Sequence, residues 1–260
     1  MNIDLYEMTY RNYKCFGNKK PDTNIKITKE TYQSVMNIIM ELEHIEPKKR
    51  EEINFSNIIC NILPVFDEKT HNLSYRNNFM FVDGSREGNP NENAERFKKL
   101  NINTFPLIEV AKYLNIQVKK SNLLESYGTF MVTENKIIIG SDYILTFLHE
   151  LAHAVDRILG RTYIDELMPK YSEYIGTKYL DEELYYECYE RIIELVAELS
   201  AVVLCKKYNI FIDLSYSKYY LGLHWSSVID INYIEIIKRV ALICEYVNKC
   251  VENIWEKQRL

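Results

Sequence analysis

Two histidines four residues apart, with a glutamate beside the first, form the segment His149-Glu150-Leu151-Ala152-His153. A helix turns once every 3.6 residues, so His149 and His153 leave the same face one turn apart, and both imidazoles can reach one tetrahedral Zn²⁺. Glu150 lies about 100° further round the helix. It is placed to face a water on the metal rather than the metal itself. Zinc lowers the pKa of such a water toward neutrality, and a carboxylate can accept the proton. The HExxH pattern therefore predicts a hydrolytic zinc site with Glu150 as general base.

A catalytic zinc needs a third protein ligand and an open fourth position. Glu194-Leu-Val-Ala-Glu198-Leu-Ser-Ala201 offers two carboxylates on one helical face, with Ala197 and Ala201 small enough to let that helix approach closely. One carboxylate can bind zinc while the other accepts a hydrogen bond from a ligand histidine and fixes its tautomer. Asp156, Glu187 and Glu190 are the rivals for the third position. Downstream lie Tyr216, Tyr219, Tyr220 and His224. From this group Tyr216 and His224 are candidate donors to the oxyanion of the transition state. Arg191, one turn before Glu194, is a candidate partner for a carboxylate.

These side chains need elements to hold them. Leu145, Leu148, Ala152, Val155 and Leu159 predict a buried helix over about 142–159, and strong helical spacing predicts helices over 182–207, 216–224 and 229–256. Residues 127–140 read as a hairpin turning at Glu134-Asn135, preceded by a helix over 105–115 and a strand at 116–119. Residues 160–181 read as irregular and tyrosine-rich. Further upstream, 28–46 and 49–63 read as amphipathic helices, and 67–95 as a polar loop carrying Asp83-Gly84-Ser85 and Gly88-Asn89-Pro90-Asn91. The expected division is a helical accessory region over 1–100 and a catalytic domain over 101–260. The expected class is α+β, mostly helical, with a small antiparallel sheet beside the HELAH helix.

Composition narrows the partners. The chain has 260 residues, 32 Lys and Arg against 37 Asp and Glu, and a net charge of −5. Residues 1–100 carry fifteen of each sign. A nucleic-acid binder is usually basic at least locally, so charge lends that partner no support. No apolar run approaches the length of a membrane span, and the first residues are too acidic for a signal peptide. The expected location is the cytoplasm. The six cysteines form no CxxC pair and are expected as buried thiols.

The HELAH segment with Glu194–Ala201 resembles the zincin-like metallopeptidase domain of ArdC-type antirestriction proteins. Tyr216-Ser-Lys-Tyr-Tyr-Leu-Gly-Leu-His-Trp225, followed by a long helix, is similar to that family's C-terminal end. The likeness covers about residues 105–255. The lead-in over Ile108–Ile139 is similar to ImmA/IrrE-type peptidases, the next nearest group. The resemblance implies a zincin fold, Zn²⁺ as cofactor, and a peptide or protein substrate. It further implies Glu194 on zinc, with Glu198 behind a ligand histidine. The alternatives are an antirestriction or mobile-element DNA-binding protein, or a non-catalytic regulator, that keeps a zincin fold.

Overall fold

The computed structural model describes residues 25–47, 61–67, 72–78, 97–98, 100–121, 127–141, 143–174, 176, 182–225 and 229–258, some of them, including 61–67, 72–78 and 223–225, as backbone only. The helices are α1 (Lys29–Glu43), α2 (Ile108–Tyr113), α3 (Ile144–Ile158), α4 (Thr162–Tyr174), α5 (Glu182–Lys207), α6 (Leu214–Trp225) and α7 (Ile229–Gln258). The strands are β1 (Asn61–Asp67), β2 (Asn72–Asn78), β3 (Gln117–Lys120), β4 (Gly128–Met131) and β5 (Lys136–Ile139). The class is α+β and mostly helical, as the sequence implies.

The core follows from apolar spacing. Helix α1 begins where the Thr28 side chain accepts the Thr31 backbone N–H at 3.2 Å, an N-cap that satisfies one orphan donor. Its Val35, Ile38, Ile39 and Leu42 are buried, and the helix packs on α7 and α5. Helix α3 packs along α5 and also meets α7, β4 and β5. Ala152, Ala197 and Ala201 are fully enclosed, the small residues that let two helices lie close. Gly160, at φ 77°, follows α3 and donates its N–H to the Arg157 carbonyl. That left-handed conformation is nearly free for glycine and ends the helix.

The small sheet corrects one expectation. Its order is β3-β5-β4, with β5 antiparallel to β4 and parallel to β3. It is therefore mixed, not antiparallel. The chain reverses between β3 and β4 and again at the 132–135 turn, so β5 runs once more in the direction of β3. Asn135, at φ 47°, occupies that turn and bonds through its side chain to the Asn115 carbonyl. Ile137 and Ile139 are fully buried, with α3 packed against β4 and β5.

Two further readings change. Residues 160–181 are expected as irregular, yet Thr162–Tyr174 is α4, with Pro169 inside it. Burial of Tyr163, Ile164, Leu167 and Met168, with α4 packed on α7, outweighs the backbone bond that proline removes. Upstream, Asn61–Asp67 and Asn72–Asn78 pair as an antiparallel hairpin, where the sequence suggests the end of a helix and the start of a polar loop. The rest of 49–60 and of 79–95 lies outside the described residues.

Cys188, Cys205, Cys244 and Cys250 are buried free thiols. Burial pushes Cys244 and Cys250 up to about 12, which leaves them neutral and inert. Cys15 and Cys60 lie outside the described residues.

Candidate metal centre

Eleven residues of α3 are buried, and four of them are polar: His149, Glu150, His153 and Asp156. Burying a large apolar side chain stabilises by about 1.5–3 kcal/mol, while each polar group buried without a partner costs about 1–3 kcal/mol. A helix with that composition is tolerable only if the four polar groups are engaged. Three converge on one side, and the fourth is held elsewhere.

His149 and His153 project one turn apart, their ring Nε2 atoms 3.0 Å from each other. The Glu194 carboxylate on α5 faces both, with Oε2 3.0 Å from His149 Nε2 and Oε1 3.2 Å from His153 Nε2. Ligand-capable atoms of His149, His153 and Glu194 all lie within 4.8 Å of one another. Glu198, one turn along α5 and 3% exposed, sits on the other side of the first imidazole, its Oε2 2.9 Å from His149 Nδ1. A carboxylate can only accept, so Nδ1 donates to Glu198, and Nε2 is the ring atom that faces Glu194 and His153.

The electrostatics express the same convergence. Burial opposes a charged His149, but Glu194 and Glu198 outweigh it and hold the imidazole well above its usual range. Burial would raise Glu194, but hydrogen bonds from His149 and His153 pull it far below the usual carboxylate range. Two imidazole nitrogens and a carboxylate thus gather around one point. Two nitrogens, one carboxylate and an open side fit Zn²⁺.

These groups line a cavity of about 470 Å³ together with Glu150, Tyr127, Gly128, Phe130 and Tyr143. Glu150 is 7% exposed. Burial raises its carboxyl, with the two histidines and a backbone hydrogen bond at Phe130 pulling the other way. It forms no ion pair with either histidine among the described residues, and it shares the cavity with them. Raised basicity suits a proton acceptor.

Of the other candidates, Asp156 accepts from Arg161 Nε at 2.7 Å and Arg239 Nε at 2.6 Å, so it is engaged away from the histidines. Glu187 pairs with Arg191 on an exposed stretch of α5, and Glu190 is exposed. Tyr216 lines the cavity, its ring 6.3 Å from that of Tyr143. His224 lies in α6, but its side chain lies outside the described residues. The tyrosine brought onto the ligand set is Tyr220, whose hydroxyl donates to Glu194 Oε2 at 2.6 Å. Burial and the neighbouring Glu194 carboxylate raise its phenol, which keeps it a donor at neutral pH.

Sequence reasoning also passes over Gly128. A Cβ there would lie 2.7 Å from Thr146 Cγ2 and 2.9 Å from Glu150 Oε1. Glycine at the start of a strand signals such a close backbone approach. Gly128→Ala is expected to displace the Glu150 carboxylate or β4 and to destabilise the fold by about 1–3 kcal/mol. Urea unfolding checks this; unchanged stability would show that the wall yields freely.

No family model, curated protein or solved structure matches the chain. Among the described residues, no helix is long and apolar enough to cross a membrane.

Proposed function

We propose that the chain is a zinc metallopeptidase of the zincin type. The observation that carries this reading is the meeting of His149 Nε2, His153 Nε2 and the Glu194 carboxylate at the wall of a cavity, with His149 fixed from behind by Glu198. His149, His153 and Glu194 would hold the zinc. When bound, zinc polarises the scissile carbonyl and lowers the pKa of a water.

The chain's own residues do the rest. Glu150 takes a proton from the attacking water as the oxygen bonds to the carbonyl carbon, and returns it to the amine as the C–N bond breaks. The Tyr220 hydroxyl donates to Glu194 and can shift from it to the developing oxyanion. Strand β4 pairs with β5 on one side and stands at the edge of its sheet, with Gly128, Thr129 and Phe130 lining the cavity. An extended peptide added along that edge would place its backbone beside Glu150. This favours a peptide over a compact small-molecule substrate.

The test is metal analysis of the purified full-length protein combined with digestion of a peptide library. One zinc per chain is expected, with cleavage lost on chelation and restored by zinc. A fully loaded protein that cleaves nothing would favour the non-catalytic regulator.

A further inference from the structure

Behind the second histidine lies a buried charge cluster that the reaction does not use. Asp156, 1% exposed, accepts from Arg161 and Arg239 through separate oxygens. Arg239 is buried and also donates to the backbone carbonyls of Asp156 and Gly160. It therefore ties the end of α3 to α7 and balances the Asp156 charge, while Arg161 Nε and the Tyr163 hydroxyl reach the other carboxylate oxygen. Arg161 repeats the ion pair, and the cluster holds two guanidinium charges against one carboxylate. A buried charge in excess is costly unless it meets a counter-ion.

Arg161 is also the member of this cluster that faces the cavity. Among the described residues lining that cavity it is the only lysine or arginine. Its Nε is held by Asp156, one terminal nitrogen reaches the Tyr189 hydroxyl at 3.2 Å, and the other the His153 carbonyl at 3.4 Å. A guanidinium has five N–H donors in a planar fork, so these three contacts fix the plane and leave donors for a further acceptor. The hydrogen bond to the His153 carbonyl places the fork beside the backbone of a proposed metal ligand.

We propose that Arg161 is a specificity-determining residue that binds a carboxylate of the substrate, either its free C-terminus or an acidic side chain next to the scissile bond. This rests on the metallopeptidase reading. A planar, pre-oriented guanidinium and a metal-binding set lining the same cavity would grip one peptide at two points. Arginine suits this because it meets a carboxylate with two parallel hydrogen bonds, which lysine cannot do.

The experiment measures binding to the zinc-loaded full-length protein by calorimetry. The probes are mercaptoacetyl-Leu-Ala as free acid and as amide, and mercaptoacetyl-Leu-Glu-amide beside mercaptoacetyl-Leu-Gln-amide. The thiol engages the metal and leaves the carboxylate as the variable. One acidic probe is expected to bind roughly 10–100-fold more tightly than its neutral twin, and the pair that shows the gap tells a C-terminal subsite from a side-chain subsite. Arg161→Gln, with normal zinc content and circular dichroism, is expected to erase the gap. Arg161→Lys keeps a charge beside Asp156 and is expected to retain only part of it; it supplies the answer if Arg161→Gln fails to fold. Equal binding of acid and neutral probes by the wild type overturns the proposal but leaves the metal site standing, as does a gap that survives undiminished in folded Arg161→Gln or Arg161→Lys. If no thiol probe binds and no zinc is retained, the metallopeptidase reading falls and this one with it.

Discussion

Glu194→Ala is expected to release zinc under conditions in which Glu198→Ala still holds most of it. Glu194 places an oxygen near the Nε2 atom of each histidine, so its loss would leave two imidazoles and no protein anion at the metal. Among the described residues, Glu198 hydrogen-bonds through its carboxylate to Nδ1 of His149 alone. Removing it loosens the ring and frees its tautomer, a change that lowers metal affinity about 10–100-fold. Loss of a ligand itself is expected to exceed that range. Competition against a chromophoric chelator, with both variants titrated in parallel, reads the difference directly. If Glu198→Ala strips the metal while Glu194→Ala retains it, the two carboxylates have exchanged roles and the proposed ligand set is wrong. Glu198→Ala also leaves His149 Nδ1 without its buried acceptor, so a loss of about 1–3 kcal/mol in stability should accompany it. Urea unfolding of the metal-free protein separates that loss from the metal effect.

The sequence made some of this site legible because helical geometry is local. Spacings of four put His149 with His153 and Glu194 with Glu198 on shared faces, and the apolar pattern marked both helices closely. The order β3-β5-β4 was not legible. The hairpin Gly128–Ile139 is specified by its own turn, but its second strand takes β3 as a further partner across a separation in sequence that no local pattern encodes. Helix α4 was hidden by Pro169 and by tyrosines that look like loop residues, although Ile164, Leu167 and Met168 carry helical spacing. In Asn72–Asn78, Leu73 and Tyr75 alternate with polar residues, a strand period that overall polarity masks. Gly128, Arg161 and Tyr220 matter through what lies across from them. Gly128 opposes Glu150 on another element, Arg161 shares Asp156 with an arginine 78 positions later, and Tyr220 reaches Glu194 from α6. Tyr216 and Tyr220 differ by one helical turn, and only their surroundings single out the second.

Glu150→Gln is the substitution expected to separate chemistry from binding most cleanly. The amide keeps the size of the carboxylate, so its close fit against Gly128 is preserved and the variant should fold. No ion pair with His149, His153 or Tyr220 is lost, because among the described residues Glu150 makes none; its neighbours act on it through charge and the Phe130 backbone. Zinc content should therefore match the wild type. What the amide cannot do is accept a proton at neutral pH. Loss of a general base alone costs about 10²–10⁴ in rate, so kcat should fall by at least that factor. KM should change little, since the substrate is gripped by other groups. Metal analysis of each preparation tells a loss of zinc from a loss of turnover. The assay uses a substrate found by library digestion with the wild type, and calorimetric binding of the same peptide to the variant. Intact binding with lost turnover is the expected pattern. Turnover within a few-fold of the wild type would remove Glu150 from the reaction and leave another cavity residue to serve as base. A parallel loss of zinc would instead place its carboxylate among the groups that hold the metal.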